Sequence, residues 1–362
     1  MRVLVCELVP NEHIASFTNV GQAGNTYVLN FSNACSFEKV FAFVPIQVES
    51  MQNFKNAGAI EYFQVRAFKH KSIFKIINRL LESVKLLKQL YKYRKGPVWF
   101  YNITQHHFIV YIIAKYLYRS KVYVLLADLY VNDKRFGMNA LFIKLIEKSD
   151  GVISLSRGAE RLEIKNLKIS NGIVSPVENI PAITVNKTDY LFAGALAKMK
   201  GIDFTLEAFS KMPDKRLLVS GIGPMLGLVK EYEAKYPNIK YLGWLDYDAY
   251  LDVLNAISFC LSFRNPDDAE NQYNFPSKII EFFQYGKIVI STFNYPDIPE
   301  GLLIHTGYDL ESLKNTMQQI QNMSDNELLA LSNKVKNFVT DNFSYKAINS
   351  LVEITESDSL IQ

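Results

Sequence analysis

The sequence predicts an α/β protein built in two cycles, each a parallel sheet covered by helices. Three observations carry that expectation. Short β-branched and aromatic runs alternate with longer stretches of helical period, the pattern of strands joined by crossover helices. The alternation fades once, around residues 173–189, where Pro176 and Pro181 interrupt it as a connection between domains would. The chain is 362 residues long with 49% hydrophobic and 13% aromatic residues, which is enough for two cores of ordinary size.

The first cycle opens on MRVLVCELVP, which reads as a strand and lacks the long apolar region and small-residue cleavage site of a signal peptide. Strands are expected at 3–9, 39–45, 61–67, 98–103, 121–127 and 151–156. The second cycle places strands at 190–194, 216–221, 239–243, 258–263 and 288–292, with helices between them. From Asp325 to about Leu351 the period is helical and no strand follows. No repeat at solenoid spacing interrupts this order.

Composition narrows the function. A formal charge of +4 is too small to argue for a nucleic-acid partner, which usually demands a basic stripe over a whole face. Cys6, Cys35 and Cys260 are widely spaced and odd in number, without a metal-ligand pattern; they read as small buried hydrophobes of a reducing compartment. The longest apolar stretch, FIVYIIAKYLY at 108–118, is broken by Lys115 and falls short of the roughly 18 apolar residues of a membrane span. A soluble cytoplasmic protein is expected.

One segment stands apart. Between Arg66 and Lys95, ten basic residues (Arg66, Lys69, Lys71, Lys75, Arg79, Lys85, Lys88, Lys92, Arg94, Lys95) face one acid, Glu82. Ile73, Ile76, Ile77, Leu80, Leu81, Val84, Leu87 and Leu90 recur at helical spacing, so residues 72–95 form an amphipathic helix with a cationic face. Such a helix is either an ordinary surface helix packed on the sheet or one drawn to an anionic membrane leaflet.

In NFPSKIIEFFQYGK, residues 274–287, Pro276 suits a first helical turn and Gly286 the position after a helix end, so a helix spans 276–285. Ser277, Lys278, Glu281, Gln284 and Tyr285 share one face; Ile279, Ile280, Phe282 and Phe283 lie on the other. Its N-terminus belongs at the carboxyl edge of the sheet, where doubly wound folds bind ligands. Two readings of Glu281 stand side by side. It forms an i,i+3 ion pair with Lys278 on a solvated face, or it accepts hydrogen bonds from a ribose diol while free N–H groups of the helix meet phosphate oxygens.

The neighbouring segments bear on that choice. LFAGALAKMKGIDFTLEAF (191–209), LLVSGIGP (217–224), IKYLGWLDYDAY (239–250) and this helix follow one another at the spacing of the nucleotide-sugar half of GT-B glycosyltransferases. The chain resembles the large retaining family numbered four, in particular members that assemble bacterial surface polysaccharides such as capsule and lipopolysaccharide. The resemblance covers residues 186–345 well and the N-terminal half in outline.

The resemblance implies a role for each matching residue. Glu281 is the second glutamate of the family's spaced pair and holds the donor ribose. Lys200 neutralises the donor diphosphate, while Gly194 and Gly221 let backbone approach the ligand, and the loop from Gly243 and Trp244 lies beside the base. Ser277 and Lys278 belong to the same donor site. Two positions depart from the pattern: Ala195 stands where the family often has arginine, and Tyr273 where the first glutamate falls. Lys198 or Arg264 supplies the missing cation, and Arg264 is the better placed by topology. Asp267, Asp268 or Glu270 takes the glutamate's place, or these acids form an exposed loop. No metal or cofactor is expected, since cations already face the diphosphate.

In the N-terminal half, Gly24 and Asn25 of AGN either meet the acceptor side or form a plain turn. His106, His107 and Asp128 follow strands, at the carboxyl edge that faces the cleft. Each is a candidate base or acceptor partner, or a satisfied structural group. The resemblance therefore implies a GT-B enzyme with two Rossmann-like domains facing across a cleft: 1–184 for the acceptor, 185–345 for the nucleotide sugar, and a helix at 346–362 returning to the first. It implies transfer from a UDP-sugar, with retention, to a hydroxyl of a glycan acceptor carried on a lipid. Residues 72–95 would then dock the enzyme peripherally on the cytoplasmic membrane face. The rival readings are a nucleotide-sugar 2-epimerase of the same fold and a non-catalytic binding protein.

Overall fold

The first strand, β1 (Val3–Glu7), has nearly every residue buried, as a strand covered on both faces must. A computed structural model describes residues 1–10, 22–44, 56, 58–64, 72–104, 107–127, 138–177, 180–267, 271 and 275–361. After β1 come α1 (Gln22–Ala34), β2 (Lys39–Val44), β3 (Ile60–Gln64), α2 (Ser72–Leu90), β4 (Val98–Tyr101) and α3 (Phe108–Ile112), which runs on into a π-turn at Ile113–Leu117. Then follow β5 (Val122–Leu126), α4 (Met138–Glu147), β6 (Gly151–Ser154) and β7 (Leu167–Ile169). The strands form one parallel sheet in the order β3-β2-β1-β4-β5-β6-β7.

The two-residue period of a strand splits its apolar run between two cores. Val3, Val5, Phe41, Phe43, Val98, Phe100, Val122 and Val124 join one cluster with Leu86, Leu87 and Leu90 of α2 and Val110 and Tyr111 of α3. Leu4, Cys6, Val40, Ala42, Trp99, Tyr123 and Leu125 join the other, with Val28 and Phe31 of α1. Each buried Val, Leu or Phe side chain among them contributes on the order of 1.5–3 kcal/mol. All three cysteines are buried and free.

The next elements form a second unit: β8 (Asp189–Ala193), α5 (Ile202–Ser210), β9 (Arg216–Ser220), α6 (Leu226–Lys235), β10 (Ile239–Gly243) and α7 (Tyr247–Ala256). They continue as β11 (Phe259–Ser262), α8 (Lys278–Gln284), β12 (Ile288–Ser291), β13 (Ile304–His305), α9 (Leu310–Asn322) and α10 (Asp325–Phe343). The parallel sheet runs β10-β9-β8-β11-β12-β13. The chain therefore divides into one unit of Met1–Ser175 with Phe343–Gln362, and another of Pro176–Asn342.

The helical tail expected from Asp325 is two helices, since Ser344 leaves the helix to bridge Val174 before α11 (Tyr345–Ile361) begins. Ile348 and Val352 of α11 pack into the same cluster as α1. Its position is fixed by Glu356, whose carboxylate accepts from Arg2 Nε at 2.6 Å, Arg2 Nη2 at 2.8 Å and Trp99 Nε1 at 2.7 Å. Two strands escaped the sequence reading, β7 and β13. They are three and two residues long, too short to display a period.

On α2 the helical stripe is wider than the core it meets. Ser83, Leu86, Leu87 and Leu90 are buried. Leu80, Leu81 and Val84 are exposed to 42%, 54% and 49%. Tyr118, which follows the π-turn, packs its ring on Tyr91 at 5.2 Å and donates to the Leu87 carbonyl, so the end of α2 and the π-turn are neighbours. There Tyr91, Tyr116 and Leu117 are also exposed. Among the described residues no helix is long and apolar enough to cross a membrane.

Glu356→Ala removes the acceptor of a guanidinium and an indole N–H that are both largely shielded. The expected cost is about 1–3 kcal/mol, read as a lower denaturant midpoint with an unchanged slope. An unaltered midpoint would show that α11 is held by its apolar contacts alone.

Candidate functional site

The second sheet has a topological switch. From β8 the chain steps through β9 and β10 to one edge, then returns to β11, β12 and β13 on the other. The helices after β8 and β11 consequently leave from opposite sides, opening a crevice at the carboxyl ends of these two strands. A pocket of about 190 Å³ lies there. Phe192 to Ala195 line it from the end of β8, Leu261 to Arg264 from the end of β11, and Phe275 to Lys278 from the entry to α8.

Close backbone approach shapes this edge. Gly221, just beyond β9, has φ 140°, and a Cβ there would lie 1.8 Å from the Gly194 carbonyl oxygen. Only glycine fits. The Gly194 N–H donates to the Ser220 carbonyl at 3.0 Å and the Gly221 N–H to that of Gly243 at 3.0 Å, so the three strand ends are stepped together. Gly201 ends the short 3-10 turn Lys198–Lys200 in the left-handed region at φ 73°. Its missing Cβ would meet the Phe263 carbonyl oxygen at 2.4 Å. That contact sets Lys200 against the end of β11.

Two cations meet in the pocket. Arg264 is 5% exposed, and its backbone is fixed from both sides by Thr292. The Arg264 N–H donates to Thr292 Oγ1 at 2.8 Å, and that hydroxyl donates to the Arg264 carbonyl at 2.7 Å. Arg264 Nη1 reaches Asn271 Oδ1 at 3.4 Å. Burial, and then the nearby Arg264 charge, push the Lys200 ammonium below the ordinary lysine range. Like charges brought together at a partly dry site create a positive potential that an anion relieves.

Glu281 stands beside this pocket. The ion pair anticipated from sequence is present: Lys278 Nζ lies 2.6 Å from Glu281 Oε2. Tyr250, on α7, donates its hydroxyl to the same oxygen at 3.3 Å, and the Lys278 ammonium sits 4.1 Å from the Tyr250 ring centroid, within cation–π range. The α8 helix begins at Lys278, two residues later than expected, and buries Ile279, Ile280, Phe282 and Phe283 as its pattern requires. The structure thus gathers Gly194, Lys200, Arg264, Ser277 and Lys278 around one pocket. It sets Glu281 alongside, leaves Gly221 and Gly243 at adjacent strand ends, and exposes Trp244 to 64%.

In the first unit the switch lies between β1 and β4. Asn25 is 3% exposed, and its amide is bound to the chain leaving β1: Val9 N–H donates to its Oδ1 and its Nδ2 donates to the Val9 carbonyl, both at 2.9 Å. Gly24 has ordinary room, since a Cβ would touch only the Tyr101 hydroxyl at 3.6 Å. His107 has no exposed surface. Its ring is wedged between Phe43 and Phe100 at 5.9 and 6.1 Å, and Nε2 lies 3.4 Å from Thr104 Oγ1 and 3.9 Å from Glu7 Oε1. The Thr104 hydroxyl donates to Glu7 at 2.6 Å. Glu7, at the carboxyl end of β1, is an acid at this edge, and the apolar period of the strand does not single it out. His106, Asp128, Asp268, Glu270 and Tyr273 lie outside the described residues. Among the described residues, no group of three or more His, Cys, Asp or Glu side chains is placed to hold a metal ion.

Comparison with known proteins bears on the fold. Residues 187–323, which lie within the second unit, match the family described as Glycosyl transferases group 1. No curated protein matches the chain closely enough to be called a relative. Among solved structures, Anabaena Alr3699/HepE in complex with UDP superposes with a TM-score of 0.67 at 14% identity, over 99% of this chain and 100% of that one. A glycosyltransferase from Rickettsia africae gives 0.65 at 14% over 99% and 98%. The lipopolysaccharide outer core galactosyltransferase WaaB gives 0.60 at 13% over 100% and 99%. At these identities the likeness is one of fold: two Rossmann-like units of the GT-B class.

Gly221→Ala should destabilise the second unit by roughly 1–3 kcal/mol, the scale of a backbone forced out of a glycine-only conformation. Gly227→Ala is the control, because nothing lies within 4 Å of a Cβ built there and alanine favours the helix. Thermal unfolding of both variants checks this: equal midpoints would mean that the strand ends are not stepped as described.

Proposed function

We propose that the chain is a hexosyltransferase that moves a sugar from a UDP-sugar to a hydroxyl of a glycan acceptor, with retention of configuration, in surface polysaccharide assembly. The observation that carries this reading is the convergence of Lys200 and Arg264 on one pocket at the switch point of the second sheet, with the Glu281 carboxylate beside it. A nucleoside diphosphate presents the matching charges: a dianionic tail for the two cations and a ribose diol for the carboxylate. HepE, which shares the fold, binds UDP and UDP-glucose.

The chemistry follows from where charge develops. As the sugar leaves, negative charge grows on the diphosphate, and donors already fixed at that position stabilise the transition state without reorganising. Lys200 and Arg264 are fixed in this way by the Gly201 contact and the Thr292 hydrogen bonds. Orientation of donor and acceptor supplies the remainder of the rate enhancement. Glu281 contributes before the chemical step, by placing the nucleoside.

The acceptor in this reading is carried on a lipid, which gives α2 its role. Leu80, Leu81 and Val84 are exposed beside the exposed Lys85, Lys88 and Lys92. Apolar side chains flanked by cations bind the headgroup boundary of an anionic bilayer, each nearby cation contributing on the order of 1 kcal/mol.

Two measurements test these statements. In a thermal-shift screen across UDP-, GDP- and ADP-sugars, UDP-sugars are expected to raise the unfolding midpoint, as a ligand of the native state does, and Glu281→Ala to lessen the rise. Stabilisation that is undiminished in the variant would remove Glu281 from the site. In a liposome sedimentation assay, the protein should pellet with anionic vesicles, and the double variant Leu80→Glu, Leu81→Glu should stay in the supernatant. Equal partitioning onto neutral and anionic vesicles would reject the membrane role.

A further inference from the structure

We propose that Tyr250 is the positioning residue of Glu281: its hydroxyl and the Lys278 ammonium on its ring hold one carboxylate oxygen, so that the other is presented to a ribose diol. The inference rests on the nucleotide reading above and names what gives the nucleoside site its selectivity for a 2′-hydroxyl.

The argument begins from the weakness of the ion pair on its own. Lys278 and Glu281 are an i,i+3 pair with side chains 42% and 25% exposed, and such pairs hold no fixed geometry in water. Tyr250 changes that. It is only 7% exposed and sits in the first turn of α7, a helix capped by Asp246, whose carboxylate accepts from the Ala249 N–H. Both partners of the ion pair land on this one buried side chain, the carboxylate on its hydroxyl at 3.3 Å and the ammonium over its ring at 4.1 Å. A second tie joins the same two helices, the Tyr247 and Tyr285 hydroxyls lying 3.3 Å apart. Both donors go to Oε2, and among the described residues no protein donor meets Oε1. A carboxylate with one oxygen engaged and the other presented accepts hydrogen bonds from a diol in a single orientation. Burial and the neighbouring Glu281 charge keep the Tyr250 phenol protonated far above neutrality, so it serves as a donor throughout the working range.

Tyr250→Phe isolates the effect, because the ring, its packing and its contact with Lys278 are retained while the hydroxyl alone is lost. Calorimetric titration of wild type, Tyr250→Phe and Glu281→Ala with UDP and with 2′-deoxy-UDP supplies the test. Wild type is expected to prefer UDP by about tenfold, the scale of one hydrogen bond to a charged group. Tyr250→Phe should cut that preference several-fold with its affinity for 2′-deoxy-UDP unchanged, and Glu281→Ala should erase it. A Tyr250→Phe protein that keeps the full preference, or loses affinity for both nucleotides equally, overturns the positioning role while leaving the ribose reading of Glu281 intact. A wild type that binds both nucleotides alike, or neither, overturns the ribose reading and this inference together.

Discussion

Two like charges share the pocket at the carboxyl ends of β8 and β11, and much of the second unit is arranged to keep them there. Desolvation and the Arg264 charge both disfavour the charged form of Lys200. The arrangement persists because neither side chain's backbone is free to relax. Arg264 is clamped reciprocally by the Thr292 hydroxyl, and the turn that carries Lys200 closes on a glycine pressed against the Phe263 carbonyl.

Carboxylate and cations divide the work between them. Glu281 is a helical turn away from the charged mouth, and its own cation, Lys278, is bound to it and seated on Tyr250. Lys278 therefore steadies the acid, and in the function proposed above neutralisation of the diphosphate falls to Lys200 and Arg264. The ion-pair and ligand readings of this helix, rivals in the sequence, are compatible in space: the pair occupies one oxygen and leaves the other.

The first unit shows the same economy of edge positions. Its sheet is apolar on both faces, so the polar groups collect where strands end. Asn25 holds the exit of β1, and Thr104 and His107 stand behind Glu7. His107 has no exposed surface and is packed between two phenylalanine rings. On α2 the leftover leucines are the counterpart on the outside of the unit, apolar surface that the sheet does not cover.

Local order was legible in the amino-acid sequence because strand and helix periods are properties of short segments. Eleven strands, the helix expected at 276–285 and the fading of the pattern at 173–189 all follow from apolar spacing, glycine and proline. So did the candidacy of Lys200, Arg264 and Glu281, once four segments stood in a recognisable order. The tertiary structure alone decided what depends on distance between separate segments. Leu81 and Leu87 are alike in the sequence, yet only one meets the sheet. Tyr250 lies 31 positions before Glu281, and nothing local ties a tyrosine on one helix to an acid on the next. The edge strands β7 and β13 are too short to show a period and exist only because a neighbouring strand pairs with them. Periodicity reports which face of an element is apolar; only packing determines how much of that face is covered and which polar groups meet across the gap.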